Sequence, residues 1–213
     1  IVSGDFFWYM KKGNLQIFAV VDCTGHGVPG AFMSIIGYNN LEKVINDMNI
    51  TSPAEILTEL NKFVCAALHQ RGEKGDTNDG MDMALCVYDP NKQTICYAGA
   101  YRPLLLIRNK EVIKYKADRF SIGGSQMVGN KIFTEQSIAV EKGDCFYAFS
   151  DGYPDQFGGP KNGKFLMSQF LDLLVKVSGN SVFEQDIEIE QTLENWIGDR
   201  EQIDDILVAG IKF

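Results

Sequence analysis

The sequence is poor in basic residues, has only two histidines and lacks a long hydrophobic run. Its 213 residues carry 20 Lys and Arg against 28 Asp and Glu, a formal net charge of −8. This balance argues against a nucleic-acid surface, because such surfaces need clustered Lys and Arg. No apolar stretch reaches the roughly 18 residues of a membrane span, and no secretory signal pattern is present. We therefore expect a cytoplasmic domain; whether a longer protein is tethered to a membrane stays open.

The cysteines form no metal-binding or disulfide pattern. There are five of them, an odd number, and no two have CxxC spacing. Four lie inside or beside apolar runs, where small buried thiols are common. This usage favours a reducing compartment and a fold without disulfides.

The order of apolar patterns predicts one α+β domain covering residues 1–213. Hairpin-like turns between short β-rich runs favour antiparallel sheets, and the helical stripes come in two separate pairs. The predicted helices are 31–48, one capped at Ser52 and running to about residue 68, 165–177 and 181–197. The predicted strands are 15–22, 83–88, 94–98, 104–107, 112–115, 131–140, 145–150 and 206–213, with a turn at 141–144 joining two of them.

Four acidic residues stand where a hydrophobic strand meets a loop: Asp5, Asp22, Asp151 and Asp204. Two unpaired carboxylates about 4 Å apart repel by roughly 4 kcal/mol at an effective dielectric of 20. A cluster of them would need a neutralising partner or would take up protons. Apart from Arg200, no base lies beside these acids in the sequence. Oxygen ligands without His–Cys pairs would favour Mg²⁺ or Mn²⁺ over Zn²⁺.

An alternative for each of these acids is a local structural role. Aspartate at a strand end is common as a turn former or as a helix N-cap. Spacing along the chain does not show whether the four side chains converge.

Four ordered motifs resemble those of the metal-dependent protein phosphatases, the family that includes protein phosphatase 2C. The DxxGHG form and the closing QxDDI are similar to the bacterial sporulation stage II E-like branch. The motifs are residues 3–7 (SGDFF), 22–31 (DCTGHGVPGA), 149–152 (FSDG) and 202–206 (QIDDI), and they cover nearly the whole chain.

The resemblance implies a four-layer α-β-β-α sandwich of two antiparallel sheets flanked by helix pairs. It also implies a site for two Mn²⁺ or Mg²⁺ ions at one end of the sheets. By motif, Asp22 would bridge the ions and the backbone carbonyl of Cys23 would bind one of them. Asp5 would bind through water or to the second ion, and Asp151 and Asp204 would complete the shell of the first.

Several residues near these motifs have two interpretations. His26 would donate a proton to the leaving oxygen, or would only hydrogen-bond within its loop. Gly25 and Gly27 would let the backbone turn tightly, or would also offer N–H groups to phosphate. Asp205 is the alternative to Asp204 as a ligand, and Asp82 would approach a third ion or simply start a strand.

The function implied by the resemblance is metal-dependent hydrolysis of phosphoserine or phosphothreonine in a bacterial signalling protein, by a water that two metals activate. A phosphorylated anti-sigma-factor antagonist domain is the typical substrate of this branch. The chain starts without Met on a strand-like run, so we interpret it as the C-terminal output module of a longer protein that lacks its N-terminal strand or strands. We also expect an upstream sensor domain and a homodimer. The alternative is a weakly active or inactive dimerising module with the same fold; a cysteine-dependent phosphatase is excluded because no HCx5R loop exists.

Overall fold

The computed structural model describes residues 3–25, 27–73, 77–124 and 131–213. The helices are α1 (Gly27–Glu42, continued by a π-helical turn, Lys43–Asp47), α2 (Pro53–Ala67), α3 (Gly152–Asp155), α4 (Met167–Val177) and α5 (Val182–Ile197). The strands are β1 (Phe6–Lys12), β2 (Leu15–Cys23), β3 (Gly80–Asp89), β4 (Thr94–Ala100), β5 (Leu104–Arg108), β6 (Glu111–Tyr115), β7 (Ile122–Gly123), β8 (Gln136–Ala139), β9 (Cys145–Phe149), β10 (Phe157–Gly158), β11 (Gly163–Lys164) and β12 (Val208–Lys212).

The strands described form two main antiparallel sheets. In the first sheet the order is β1-β2-β3-β4-β8, and the short strand β7 also pairs with β3. In the second sheet the order is β12-β9-β5-β6. A small hairpin of β10 and β11 lies outside both sheets. The antiparallel pairing that the hairpin turns predicted is therefore confirmed.

Alternating side chains on the strands build three separate layers of core. On β2, Ile17, Ala19 and Val21 pack against α1 and α2, whereas Phe18 and Val20 pack between the two sheets. On the second sheet, the odd-numbered residues of β5 and β9 pack against α4 and α5, and the even-numbered ones face the first sheet. Since successive strand residues point to opposite faces, three cores require four layers. The α-β-β-α sandwich expected from the resemblance is confirmed.

The helix starts differ from the predictions most at α1, whereas α4 and α5 begin within two residues of the predicted positions. Helix α2 begins as predicted, because Ser52 accepts a hydrogen bond from the Glu55 N–H at 3.3 Å and Pro53 occupies the first turn. Helix α1 begins at Gly27 rather than at residue 31. Pro29 does not prevent this, because N–H groups of a first helical turn have no partner within the helix.

The turn at residues 141–144 joins the two sheets and does not close a hairpin. The prediction of a paired strand 131–140 was wrong in this respect. Only Gln136–Ala139 form a strand, and it pairs with β4 in the first sheet, whereas β9 pairs with β5 and β12 in the second. The cause is local: Asp144, which is 1% exposed, binds Arg108 of β5 and the backbone N–H of Glu141.

Two further expectations concern the whole chain. All five cysteines are free, as the spacing predicted. Among the described residues, no helix has both the length and the apolar character needed to cross a membrane.

Candidate metal and phosphate site

The sheet register brings the predicted acidic residues to one end of the sandwich. Asp22, near the end of β2, lies directly opposite Asp82 of β3 in the antiparallel ladder. Asp5 immediately precedes β1, whose Phe6 pairs with Val21. In the second sheet, Asp151 follows the end of β9 after Ser150, and β9 ends beside the start of β12. Strand ends far apart in sequence therefore meet at the same edge.

An arginine that the sequence did not suggest lies among these carboxylates. Arg102 Nη2 is 2.7 Å from Asp22 Oδ2, 2.7 Å from Asp151 Oδ2 and 3.4 Å from Asp82 Oδ2. The contact with Asp151 has hydrogen-bond geometry, whereas the contact with Asp22 is an ion pair off the hydrogen-bond direction. These acids have no base beside them in the sequence, yet the structure supplies one. Arg102 comes from the connection between β4 and β5.

That connection is held firmly by backbone contacts. The Tyr97 hydroxyl donates to the carbonyl of Arg102 at 2.6 Å, and the Arg102 N–H donates to the carbonyl of Ala100. Tyr101 has a positive φ of 54°, and its N–H donates to the Asp118 carbonyl. The position of the Arg102 backbone at the strand ends is therefore built into the fold.

The carboxylates are in an unfavourable electrostatic environment. Burial, with Asp5, Asp151 and Asp82 nearby, raises the pKa of Asp22 to about 7 although Arg102 opposes the rise. Burial raises the pKa of Asp5 to about 6, helped by Asp205 and Asp204 and opposed by a hydrogen bond from Ser150. Like charges directly opposite in a ladder, as Asp22 and Asp82 are, destabilise the pair. One guanidinium therefore does not balance the negative charge of the acid cluster, which consists of Asp5, Asp22, Asp82 and Asp151.

The same cluster of charges shifts the pKa values of Asp82 and Arg102. Burial raises the pKa of Asp82, while a 2.6 Å hydrogen bond from the Ser121 hydroxyl and the charge of Arg102 act in the opposite direction. Burial alone would lower the pKa of Arg102, but the carboxylates of Asp22, Asp151 and Asp82 outweigh it and raise the value. The guanidinium is therefore firmly charged.

The pair Asp204 and Asp205 lies beside this cluster, and its two members differ. Asp205 Oδ2 accepts a hydrogen bond from the Gly4 N–H at 2.7 Å, next to Asp5. Asp204 is exposed, and its Oδ1 accepts from the Asp205 N–H at 2.8 Å. The segment is held against α3, because a Cβ on Gly152 would lie 2.0 Å from the Asp205 carbonyl oxygen.

The glycine-rich loop packs against the start of β1. Gly25 and Gly27 have φ values of +85° and +68°, which L-residues with side chains rarely adopt. A Cβ on Gly30 would lie 2.4 Å from the Gly25 carbonyl oxygen and 3.0 Å from the Gly4 Cα. This close approach places the loop beside the acid cluster. The buried Cys23 pairs opposite Met81 in the ladder, and His26 lies outside the described residues.

The carboxylate oxygens at this site are ligands of the kind that a hard divalent cation prefers. Asp5 Oδ2 and Asp22 Oδ2 are buried and accept no hydrogen bond, but Asp22 Oδ2 is ion-paired with Arg102, so of these two oxygens Asp5 Oδ2 is the one left available to a cation. As the side chains stand, however, the described residues contain no group of three or more His, Cys, Asp or Glu placed to hold a metal ion. The guanidinium of Arg102 contacts Asp22 Oδ2 and Asp151 Oδ2, two of the oxygens that a cation would use.

Sequence reasoning missed Arg102 and Ser121. Arg102 follows the run YAGAY, which carries no acidic neighbour and no metal-site motif. Ser121 precedes the two-residue strand β7, which the sequence pattern did not reveal. Only the pairing of β3 with β4 and β7 brings these two residues to Asp82.

The antiparallel α-β-β-α sandwich matches the structures of protein phosphatase 2C-type phosphatase domains. Within that class the chain belongs to the Stage II sporulation protein E (SpoIIE) family, whose family model matches residues 12–213.

Individual relatives agree with this assignment. The chain is similar in structure to the SiaA-PP2C domain of Pseudomonas aeruginosa, with a TM-score of 0.88 and 29% identity, covering 100% of this chain and 81% of that one. It is 28% identical over 157 residues to the phosphoserine phosphatase RsbU of Bacillus subtilis (strain 168), covering 71% of this chain. The chain spans only 42% of the length of that curated relative. RsbX, solved in complex with magnesium, shares the fold with a TM-score of 0.61 and 16% identity, covering 99% of this chain and 86% of that one.

Proposed function

We propose that this domain hydrolyses phosphoserine or phosphothreonine in a protein substrate with the help of two Mn²⁺ or Mg²⁺ ions. The observation that supports the proposal most directly is the convergence of Asp5, Asp22, Asp82 and Asp151, with Asp5 Oδ2 buried and unpartnered and one arginine opposing the remaining carboxylates. Membership of the SpoIIE family and the similarity to a phosphoserine phosphatase agree with it. The magnesium in the RsbX structure supports a divalent cation of this size and hardness.

The ligands would be drawn from Asp5, Asp22, the backbone carbonyl of Cys23, Asp151 and either Asp204 or Asp205. Bound there, two divalent ions would lower the pKa of a shared water and neutralise charge on the phosphoryl oxygens. Asp205, through its bond to Gly4, fixes the backbone that carries Asp5. Ser121 orients Asp82. The role of His26 as a proton donor to the leaving oxygen stays a prediction.

The biological setting is also a proposal. We expect a bacterial signalling pathway, an upstream sensor or regulatory domain, and a phosphorylated protein substrate such as an anti-sigma-factor antagonist domain. The greater length of RsbU supports additional domains in proteins of this kind. The cytoplasmic location stays a prediction.

The expected additional N-terminal strand would belong beside β12. Among the described strands, β12 pairs on one side only, with β9. An apolar cleft of about 230 Å³ lies along it, lined by Phe7, Phe18 and Phe146 among others. A further strand paired with β12 would cover this cleft.

Homodimerisation is supported by one face of α1. Val28, Phe32, Ile35 and Tyr38 lie at helical spacing and are 47–65% exposed. Phe32→Glu should weaken a dimer in sedimentation velocity, whereas Phe183→Glu, which changes a similarly exposed phenylalanine on α5, should not. A chain that sediments as a monomer at all concentrations would contradict the proposed dimer.

The activity itself is tested by Mn²⁺-dependent phosphate release from a phosphoserine peptide. Asp22→Asn and Asp151→Asn should lower turnover by about 10²-fold or more, as loss of charge stabilisation commonly does. Asp155→Asn is the matched control, because Asp155 lies on α3 and pairs with Lys164. Wild-type turnover in both site variants would reject the assignment.

The alternative of a catalytically weak signalling module is favoured by one observation, the ion pairs of Arg102 with the carboxylates that would bind metal. Calorimetry with Mn²⁺ separates the two functions. A chain that binds Mn²⁺ and releases phosphate is the enzyme, whereas a chain that does neither is the signalling module.

A further inference from the structure

Arg102 makes more contacts with the acid cluster than a surface arginine would. Its side chain is 14% exposed, and a single nitrogen, Nη2, contacts carboxylates from three different strand ends. Asp22 and Asp82 come from the first sheet and Asp151 from the second. The guanidinium therefore ties the two sheets together at the end of the sandwich.

The oxygens involved are those that a divalent ion would need. Ions of the Mg²⁺ type bind carboxylate oxygens at about 2.0–2.1 Å. Arg102 Nη2 lies 2.7 Å from Asp22 Oδ2 and equally close to Asp151 Oδ2. A metal ion bound to both of these oxygens would lie close to this nitrogen, and the two positive charges would repel each other.

We propose that Arg102 is a built-in competitor of the divalent ions: its guanidinium neutralises Asp22, Asp82 and Asp151, and metal loading requires it to withdraw. This inference rests on the proposed metal-dependent function. Its consequence is that the affinity for metal is set partly by a residue that is not a ligand. An input that turned the Arg102 side chain away from the carboxylates would change metal affinity without touching any ligand.

The geometry indicates that the side chain, not the backbone, makes the movement. The carbonyl and N–H of Arg102 are both hydrogen-bonded within the connection, to Tyr97 and Ala100. The guanidinium Nε, by contrast, is buried without a hydrogen-bond partner. Rotation about the side-chain bonds would release the carboxylates without disturbing the strands.

Removing the charge should therefore have opposite effects with and without metal. Arg102→Gln should bind Mn²⁺ about tenfold more tightly or better, because a competing unit charge has been removed from the site. In EDTA the same variant should melt at a lower temperature than the wild type, because its carboxylates then repel without compensation. Mn²⁺ should raise its melting temperature more than that of the wild type.

The experiment measures Mn²⁺ affinity by titration calorimetry and melting temperature in EDTA and in Mn²⁺ for the full 213-residue chain. Arg102→Lys is the second variant, since it keeps the charge but loses the planar fork, and should fall between the wild type and Arg102→Gln. Arg108→Gln is the matched control. Arg108 also pairs with carboxylates, Asp144 and Glu141, but away from the site, so it should lower both melting temperatures and leave Mn²⁺ affinity unchanged.

The possible results separate this inference from the proposed function. Tighter Mn²⁺ binding by Arg102→Gln, with a lower melting temperature in EDTA, supports competition. Equal or weaker binding by Arg102→Gln, while the wild type binds Mn²⁺ and releases phosphate, overturns the inference and leaves the function intact. If neither protein binds Mn²⁺, the metal-dependent function is overturned and the inference with it. Should Arg102→Gln fail to fold, Arg102→Lys decides by the same comparison of affinities.

Discussion

Two glycines of α1 allow the packing around the glycine-rich loop to be tested with an internal control. A Cβ on Gly30 would lie 2.4 Å from the Gly25 carbonyl oxygen and 3.1 Å from the Gly25 carbonyl carbon. A Cβ on Gly37 would lie 3.0 Å from the sulfur and terminal methyl of Met81. The neighbours of Gly30 are fixed backbone, whereas those of Gly37 are side chains, the flexible end of Met81 and the ring of Phe6 at 3.1 Å.

We expect Gly30→Ala to be less stable than Gly37→Ala by about 1–3 kcal/mol, the usual cost of overpacking. Both changes add the same methyl group to the same helix, so the gain in helix propensity of about 1 kcal/mol cancels in the comparison. An overlap of this size with a backbone oxygen forces the loop to move. The loop continues from Asp22 and Cys23, so we also expect weaker Mn²⁺ binding in Gly30→Ala.

The assay is urea unfolding followed by far-ultraviolet circular dichroism, with the midpoint and slope fitted separately. Mn²⁺ titration of both variants gives the effect on the site. If the two variants unfold with free energies within about 0.5 kcal/mol of each other, the loop accommodates the methyl group and the reasoning from the close approach is refuted.

Three further predictions concern residues away from the site. Tyr147→Phe should cost about 1–2 kcal/mol in urea unfolding, because it removes the buried 2.6 Å hydrogen bond to Gln185 Oε1. Trp8→Phe should cost clearly less than the 3–5 kcal/mol of truncation to Ala, because its buried indole N–H has no partner to lose. Ser181→Ala should remove the capping box with Glu184. Ser181 lowers the pKa of Glu184, so the stability difference should be present at neutral pH and shrink as pH falls through that lowered pKa.

Each of these has a contradicting outcome in thermal or urea unfolding. An unchanged Tyr147→Phe would mean that the Gln185 bond contributes nothing. A Trp8→Phe variant as unstable as Trp8→Ala would mean that indole packing outweighs the unpartnered N–H. If the free energies of unfolding of the wild type and Ser181→Ala differ by the same amount from neutral to acidic pH, the cap does not depend on the charge of Glu184.

The fold could be predicted well from the sequence where side-chain periodicity determines it. The β-rich run 15–22 became β2, and Ser52 caps α2 as its spacing with Glu55 indicated. Prediction was wrong at 131–140, because pairing partners are chosen across the whole chain. The buried Asp144 and its arginine direct the next strand into the other sheet.

At the candidate site, too, some residues could be predicted from the sequence and others could not. The acids could be found because each stands at the end of an apolar strand within a motif. The assignment of ligands between Asp204 and Asp205 could not be decided by spacing, since the two are adjacent. In the structure Asp205 accepts a hydrogen bond from the Gly4 N–H, while Asp204 is exposed.

The sequence by itself determined most of the longer strands and helices and the acidic strand ends, because apolar patterning, capping and turn chemistry act over a few neighbouring residues. Only the tertiary structure decided that Arg102 would lie among Asp22, Asp82 and Asp151. These four residues are spread over 130 positions of the chain, from 22 to 151, and no local pattern connects them. They meet because strand register places four separate chain segments at one end of two stacked sheets, where the repulsion of buried carboxylates makes a positive charge necessary.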